Sequence, residues 1–222
     1  MTTGKRGRGP GLRAGIAVAI VALAVASCSV IPASRFVERY SEPAPDPQNL
    51  VLCEGYACRF GAHVALSADE WAKIAATLQP AAPDAATERD HLARAVAKLD
   101  LIAAQHAGTA VEQRRDWINK GDPSQIDCVD HTVNTTTYLR LFERAGLLRW
   151  HRSGIAAHRG SVLAWDVANT ATVVEIDTGR SYSIDTALGD PGVQPYVVPL
   201  EVWIEGPLPE FQHNPVLQQA AR

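Results

Sequence analysis

The chain has 222 residues, 46% of them hydrophobic and 20% charged, enough apolar material to bury one sizeable core. Its net charge of -3 joins a basic start to an acidic body: Lys5, Arg6, Arg8 and Arg13 stand in the first 27 positions without an acid, leaving 17 basic against 24 acidic residues, net -7, for the rest. An acidic body excludes nucleic acid as the expected partner, because phosphate binding needs a basic face, and no long acidic run marks a disordered tail.

Residues 1–27 read as an address. After the basic residues come thirteen apolar or small positions, Gly15 to Ser27, short of the roughly 20 that a membrane span needs, and this fits a secretory signal peptide. The end of the run, Val25-Ala26-Ser27-Cys28, resembles the lipobox of bacterial lipoproteins, which are cut before a cysteine that then carries the lipid. The resemblance implies lipidation at Cys28 and a lipid bilayer as partner. Ser29 in place of an aspartate implies sorting to the outer membrane, facing the periplasm, in a double-membraned cell. An ordinary signal peptide or an uncleaved anchor is the alternative. Residues 28–49 are polar and proline-bearing with no sustained period, as in a tether, and a single domain is expected over 50–222.

With Cys28 reserved for lipid, Cys53, Cys58 and Cys128 remain. An exported protein meets an oxidising compartment, and Cys53 and Cys58 flank "EGYA", whose glycine permits a tight reversal, so a disulfide is expected there. The alternative is two small buried side chains. Two thiols without a second pair or two histidines make half a zinc site, and neither metal nor cofactor is expected. Cys128 is left over, and an odd thiol in a secreted protein is buried, cross-linking or reactive.

The first helix of the body begins at Ser67, where Ser67 and Glu70 form a capping box. Trp71, Ile74, Ala75 and Leu78 share one face, and Pro80 and Pro83 end it. A second helix over 86–107 carries Leu92, Val96, Leu99 and Ile102, with Gly108 just past its end. A turn is expected at Asn119–Pro123. The third helix, capped by Asp127, opens at Cys128, builds an apolar body from Val129, Val133, Tyr138, Leu141 and Phe142, and stops at Gly146. Threonines at 132, 135, 136 and 137 are poor helix formers, so burial against a sheet has to compensate. Beyond Gly146 the period changes: "LLRWHRSGIAAHRG", "TATVVEID" and "SYSIDTA" read as three strands, the last two joined at Thr178-Gly179-Arg180. "PYVVPLEVWIEG" reads as a strand and a short closing helix. Helices followed by antiparallel strands make an α+β domain, with the cysteine-bearing helix packed on the sheet.

A cysteine opening a helix, followed by antiparallel strands ending in Ile184-Asp185, resembles the transglutaminase-like and papain-like cysteine peptidase superfamily over about residues 120–190. The resemblance implies Cys128 as nucleophile and Asp185 as the carboxylate that orients a histidine. A helix N-terminus and a neighbouring imidazolium both favour a thiolate, and the carboxylate fixes the ring's tautomer. The histidine is expected near 168–170, where the chain has Ala168, Asn169 and Thr170. His158 and His131 are the available substitutes, the latter beside the thiol on the same helix. Asp127 and Asp130 work against a thiolate, since like charge raises its pKa. Two functions follow: a non-catalytic binding or assembly module engaging an envelope protein or peptide, or a cysteine hydrolase or acyl transferase using Cys128, His158 and Asp185. Zinc held by Cys128, His131 and another histidine is a third, weaker reading.

Overall fold

The structure is a computed structural model that describes residues 1, 33–41, 43–109, 126–160 and 168–206. The expected signal peptide past Met1, Cys28 and the turn expected at Asn119–Pro123 lie outside these residues. The helices are α1 (Ala33–Tyr40), α2 (Ala68–Ala75, prolonged by a 3-10 turn Ala76–Leu78), α3 (Ala85–Ala107), α4 (Cys128–Arg144) and α5 (Leu200–Ile204). The strands are β1 (Leu50–Glu54), β2 (Phe60–Val64), β3 (His151–Ser153), β4 (Ala157–Arg159), β5 (Ala168–Glu175), β6 (Ser181–Asp185) and β7 (Tyr196–Pro199). All are antiparallel: β1 and β2 form a hairpin, and the main sheet runs β3-β5-β6-β7, with β4 also on β5. The fold is α+β. No helix among the described residues is long and apolar enough to cross a membrane.

The helix starts follow their capping chemistry. Ser67 and Glu70 bond reciprocally, Asp84 caps α3 from Thr87 N–H, and Gly108 ends α3 at φ 73°. Asp127 caps α4 and forms a capping box of its own with Asp130. The four threonines of α4 are all engaged. Thr132, Thr136 and Thr137 donate to the carbonyls of Cys128, Thr132 and Val133, and Thr135 bonds Thr186 at 2.8 Å. What holds α4 helical is packing. Tyr138, Leu139, Leu141 and Phe142 are buried with Leu92, Val96 and Leu99 of α3 and with Ala171, Val173, Tyr182 and Ile184 of the sheet. Each large apolar side chain contributes about 1.5–3 kcal/mol on burial, more than the propensity a threonine loses.

Two elements depart from expectation. The stretch expected as a tether carries α1, whose Val37 is buried beside Cys53, Cys58, Val133 and Ala156. Eight residues with Val37 and Tyr40 facing inward are too few to show a period. The single strand expected over 147–160 is two. Register pairs Ser153 with Val173 and Ala157 with Thr170, so four steps on one strand oppose three on the other. That one-residue excess is a β-bulge at Gly154–Ala156. Gly154 is required there, because a Cβ would stand 2.2 Å from Thr172 Oγ1.

Candidate functional site

Cys128 is the first residue of α4, half-buried and free. Its Sγ accepts a hydrogen bond from Asn169 Nδ2 at 3.3 Å. Asn169 sits on β5 directly across from His158 on β4, and His158 Nδ1 lies 2.9 Å from Asn169 Oδ1. The order is therefore imidazole, amide, thiol. The ring donates to the amide oxygen and the amide nitrogen donates to sulfur. An amide in the middle fixes both neighbours but passes no proton between them.

Burial pushes the Cys128 thiol above its ordinary value, and the charges of Asp127 and Asp185 push it the same way, against the hydrogen bonds from Asn169. The helix N-terminus that should favour a thiolate is already occupied: Asp127 Oδ1 accepts the N–H groups of Val129 and Asp130. His131 is buried one turn on, with Nδ1 3.3 Å from Thr186 Oγ1.

Of the expected set Cys128, His158 and Asp185, the structure brings the first two together through Asn169 and turns the third elsewhere. Strand alternation explains why. Tyr182 and Ile184 join the core against α4, and Thr186, in phase with them, bonds Thr135. Asp185, out of phase, accepts Trp203 Nε1 at 2.9 Å and Ala187 N–H at 3.0 Å. Burial raises its carboxyl pKa against those bonds and the nearby Arg159 charge. Arg159, next to His158 but on the other face, stacks on the Trp203 ring at 4.4 Å and donates to its carbonyl. Asp185, Trp203 and Arg159 thus form a cluster of their own, from which the Asp185 charge still reaches Cys128. Chain order pointed to Asp185; only strand phase could have pointed to Trp203 and Arg159.

The Cys53–Cys58 disulfide is present, with Cα atoms 4.5 Å apart. Asp130 lies within 4.8 Å of its sulfurs, but those sulfurs are bonded to each other and the carboxylate faces backbone N–H groups, so the cluster has no thiolate to offer a metal. No protein-family model, curated protein or solved structure matches this chain.

Proposed function

We propose that this protein is a lipid-anchored envelope protein whose transglutaminase-like domain is a non-catalytic binding or assembly module, with an envelope protein or peptide as partner. The observation that carries the reading is the Asn169 amide at the place beside Cys128 where a base would stand. The raised thiol pKa supports it further, since a thiol kept protonated at neutral pH is a poor nucleophile. Membrane attachment rests on the lipobox-like end of the signal peptide, with lipid on Cys28 and the domain facing the periplasm from the outer membrane.

The hydrolase reading keeps one observation in its favour. His158 is a single amide away from the thiol, so a rearrangement of Asn169 would let the ring approach. Iodoacetamide alkylation of Cys128 across pH separates the two. The binding module predicts no reactive fraction below neutrality, as for a thiol that burial and nearby carboxylates hold above its ordinary value. Rapid labelling in mild acid that disappears in His158→Ala restores the hydrolase. For the anchor, Cys28→Ala should release the protein from membranes and abolish incorporation of labelled fatty acid; a variant that still fractionates with membranes, beside a wild type that takes up no lipid, rejects lipidation.

A further inference from the structure

Helix α4 is gripped by the bridged hairpin as well as by the sheet. Asp130, fully buried, accepts Cys58 N–H at 2.6 Å on Oδ1 and Tyr56 N–H at 2.9 Å on Oδ2, and Asp127 Oδ2 accepts Ala57 N–H at 3.2 Å. One turn further along, Asn134 exchanges two hydrogen bonds with the backbone of Cys53, at 2.7 and 2.9 Å. Both ends of the disulfide are therefore fastened to one helix, at positions 130 and 134, and that helix starts at Cys128.

The loop can present its N–H groups this way because four consecutive residues are left-handed: Gly55, Tyr56, Ala57 and Cys58 have φ of 77°, 68°, 55° and 55°. Successive N–H groups in such a run converge into an anion-binding concavity, and carboxylates fill it here. L-residues keep that conformation only where their surroundings over-determine it. The bridge is one determinant and Asp130 is the other. Should the loop relax, Asp130 would keep only the Asp127 N–H, at 3.1 Å, beside a second carboxylate. A buried carboxylate so exposed to like charge has to draw in water, and the first turn of α4 opens with it.

We propose that the Cys53–Cys58 bridge, acting through Asp130, positions the first turn of α4 and so sets how far Cys128 is open to solvent. This rests on the reading of the Cys128 face as the site. Asp130 is on this account a positioning residue.

The test is a labelling cycle on the full chain at mildly alkaline pH, with Cys128 modification read by peptide mass. C53S/C58S should label Cys128 about tenfold faster than the bridged protein, and Asp130→Asn with the bridge intact should give most of that increase. The combined variant should gain little over either, because both act through one loop. The acceleration should also be insensitive to low urea, as for a local opening. Unchanged labelling, independent multiplicative effects, or a urea dependence as steep as whole-chain unfolding each overturn the proposal; the last would make the bridge a general staple. A thiol already reactive in mild acid in the bridged protein would instead reject the non-catalytic reading and leave the cycle interpretable.

Discussion

Two imidazoles flank the same bulge and meet opposite partners. His151, on β3, gives its Nδ1–H to the Glu88 carboxylate at 3.0 Å, and its Nε2 lies 3.3 Å from Arg89 Nη1. His158, on β4, meets the Asn169 amide. The carboxylate–imidazole pair that cysteine hydrolysis would require exists in this molecule, but it is buried against Tyr182 and roofed by Arg89, which also binds Glu175 at 2.7 Å. The imidazole near the thiol meets an amide where the other meets a carboxylate. Residue types do not make a triad; their distribution over the sheet does. Two buried carboxylates repeat the contrast. Glu88 accepts three backbone N–H groups (Arg149, Trp150, His151) and so does Asp130 (Tyr56, Cys58, Asp127). Burial raises both, but His151 and the N–H bonds bring Glu88 below its ordinary value, whereas the Asp127 charge helps push Asp130 up to about 7. With backbone donors matched, the neighbour decides: a ring N–H donates to Glu88, and a second carboxylate repels Asp130.

The comparison breaks most severely at Glu88. Glu88→Ala takes the acceptor from three backbone N–H groups, that of His151 buried, and from the Nδ1–H of the buried His151 ring, and should cost about 3–5 kcal/mol, read from urea denaturation. A cost below about 1 kcal/mol would mean that water replaces the carboxylate. Removing the Cys53–Cys58 bridge should cost about 2 kcal/mol, the low end for disulfides because the loop is short. Asn169→His puts a base beside the thiol in place of the amide; Cys128 alkylation in mild acid should rise about tenfold, equivalent to about 1.4 kcal/mol. No change would place the burden on Asp127 and Asp185 rather than on the missing ring.

The smallest effect is a pair of opposite pH slopes. Glu88 is lowered from 4.5, so its contribution is present above that value and is lost as pH falls through its folded pKa. Asp130 is raised from 3.8, so its contribution is present below that value and is lost as pH rises through about 7. Stability should therefore fall on the approach to neutrality, and Asp130→Asn should flatten that limb while leaving the acid limb in place. Urea midpoints measured across the range check both.

Much of the scaffold is legible in the sequence because its signals are local. Ser67 with Glu70, Gly108 after a long period and Asp127 before Cys128 each declare a helix end from a few neighbouring residues. The β1–β2 hairpin is less so: Phe60 and His63 alternate poorly, and its purpose is to present N–H groups to Asp130, 72 residues from Cys58. The disulfide could be read from spacing; the carboxylate it serves could not. At the site, Cys128, Asn169 and His158 are legible as candidates by position. Asp185 is legible only by order, and order is silent about which face of a strand a side chain takes.

The bulge at Gly154–Ala156 acts as a phase shift. With the extra residue, His158 lies opposite Asn169 and shares its face of the sheet. Flatten the bulge with every residue kept and β3 in place, and Ala157 moves opposite Asn169, His158 moves opposite Ala168, and the imidazole changes sides. Arg159 would change sides with it, losing Trp203 for the helix side. Loss of the bulge without loss of a residue is therefore an exchange of two surfaces, whereas deleting the one extra residue would leave a regular ladder with His158 still opposite Asn169. Sequence drift at 154–156 should be tolerated in identity, Gly154 apart, wherever the pairing on either side is kept.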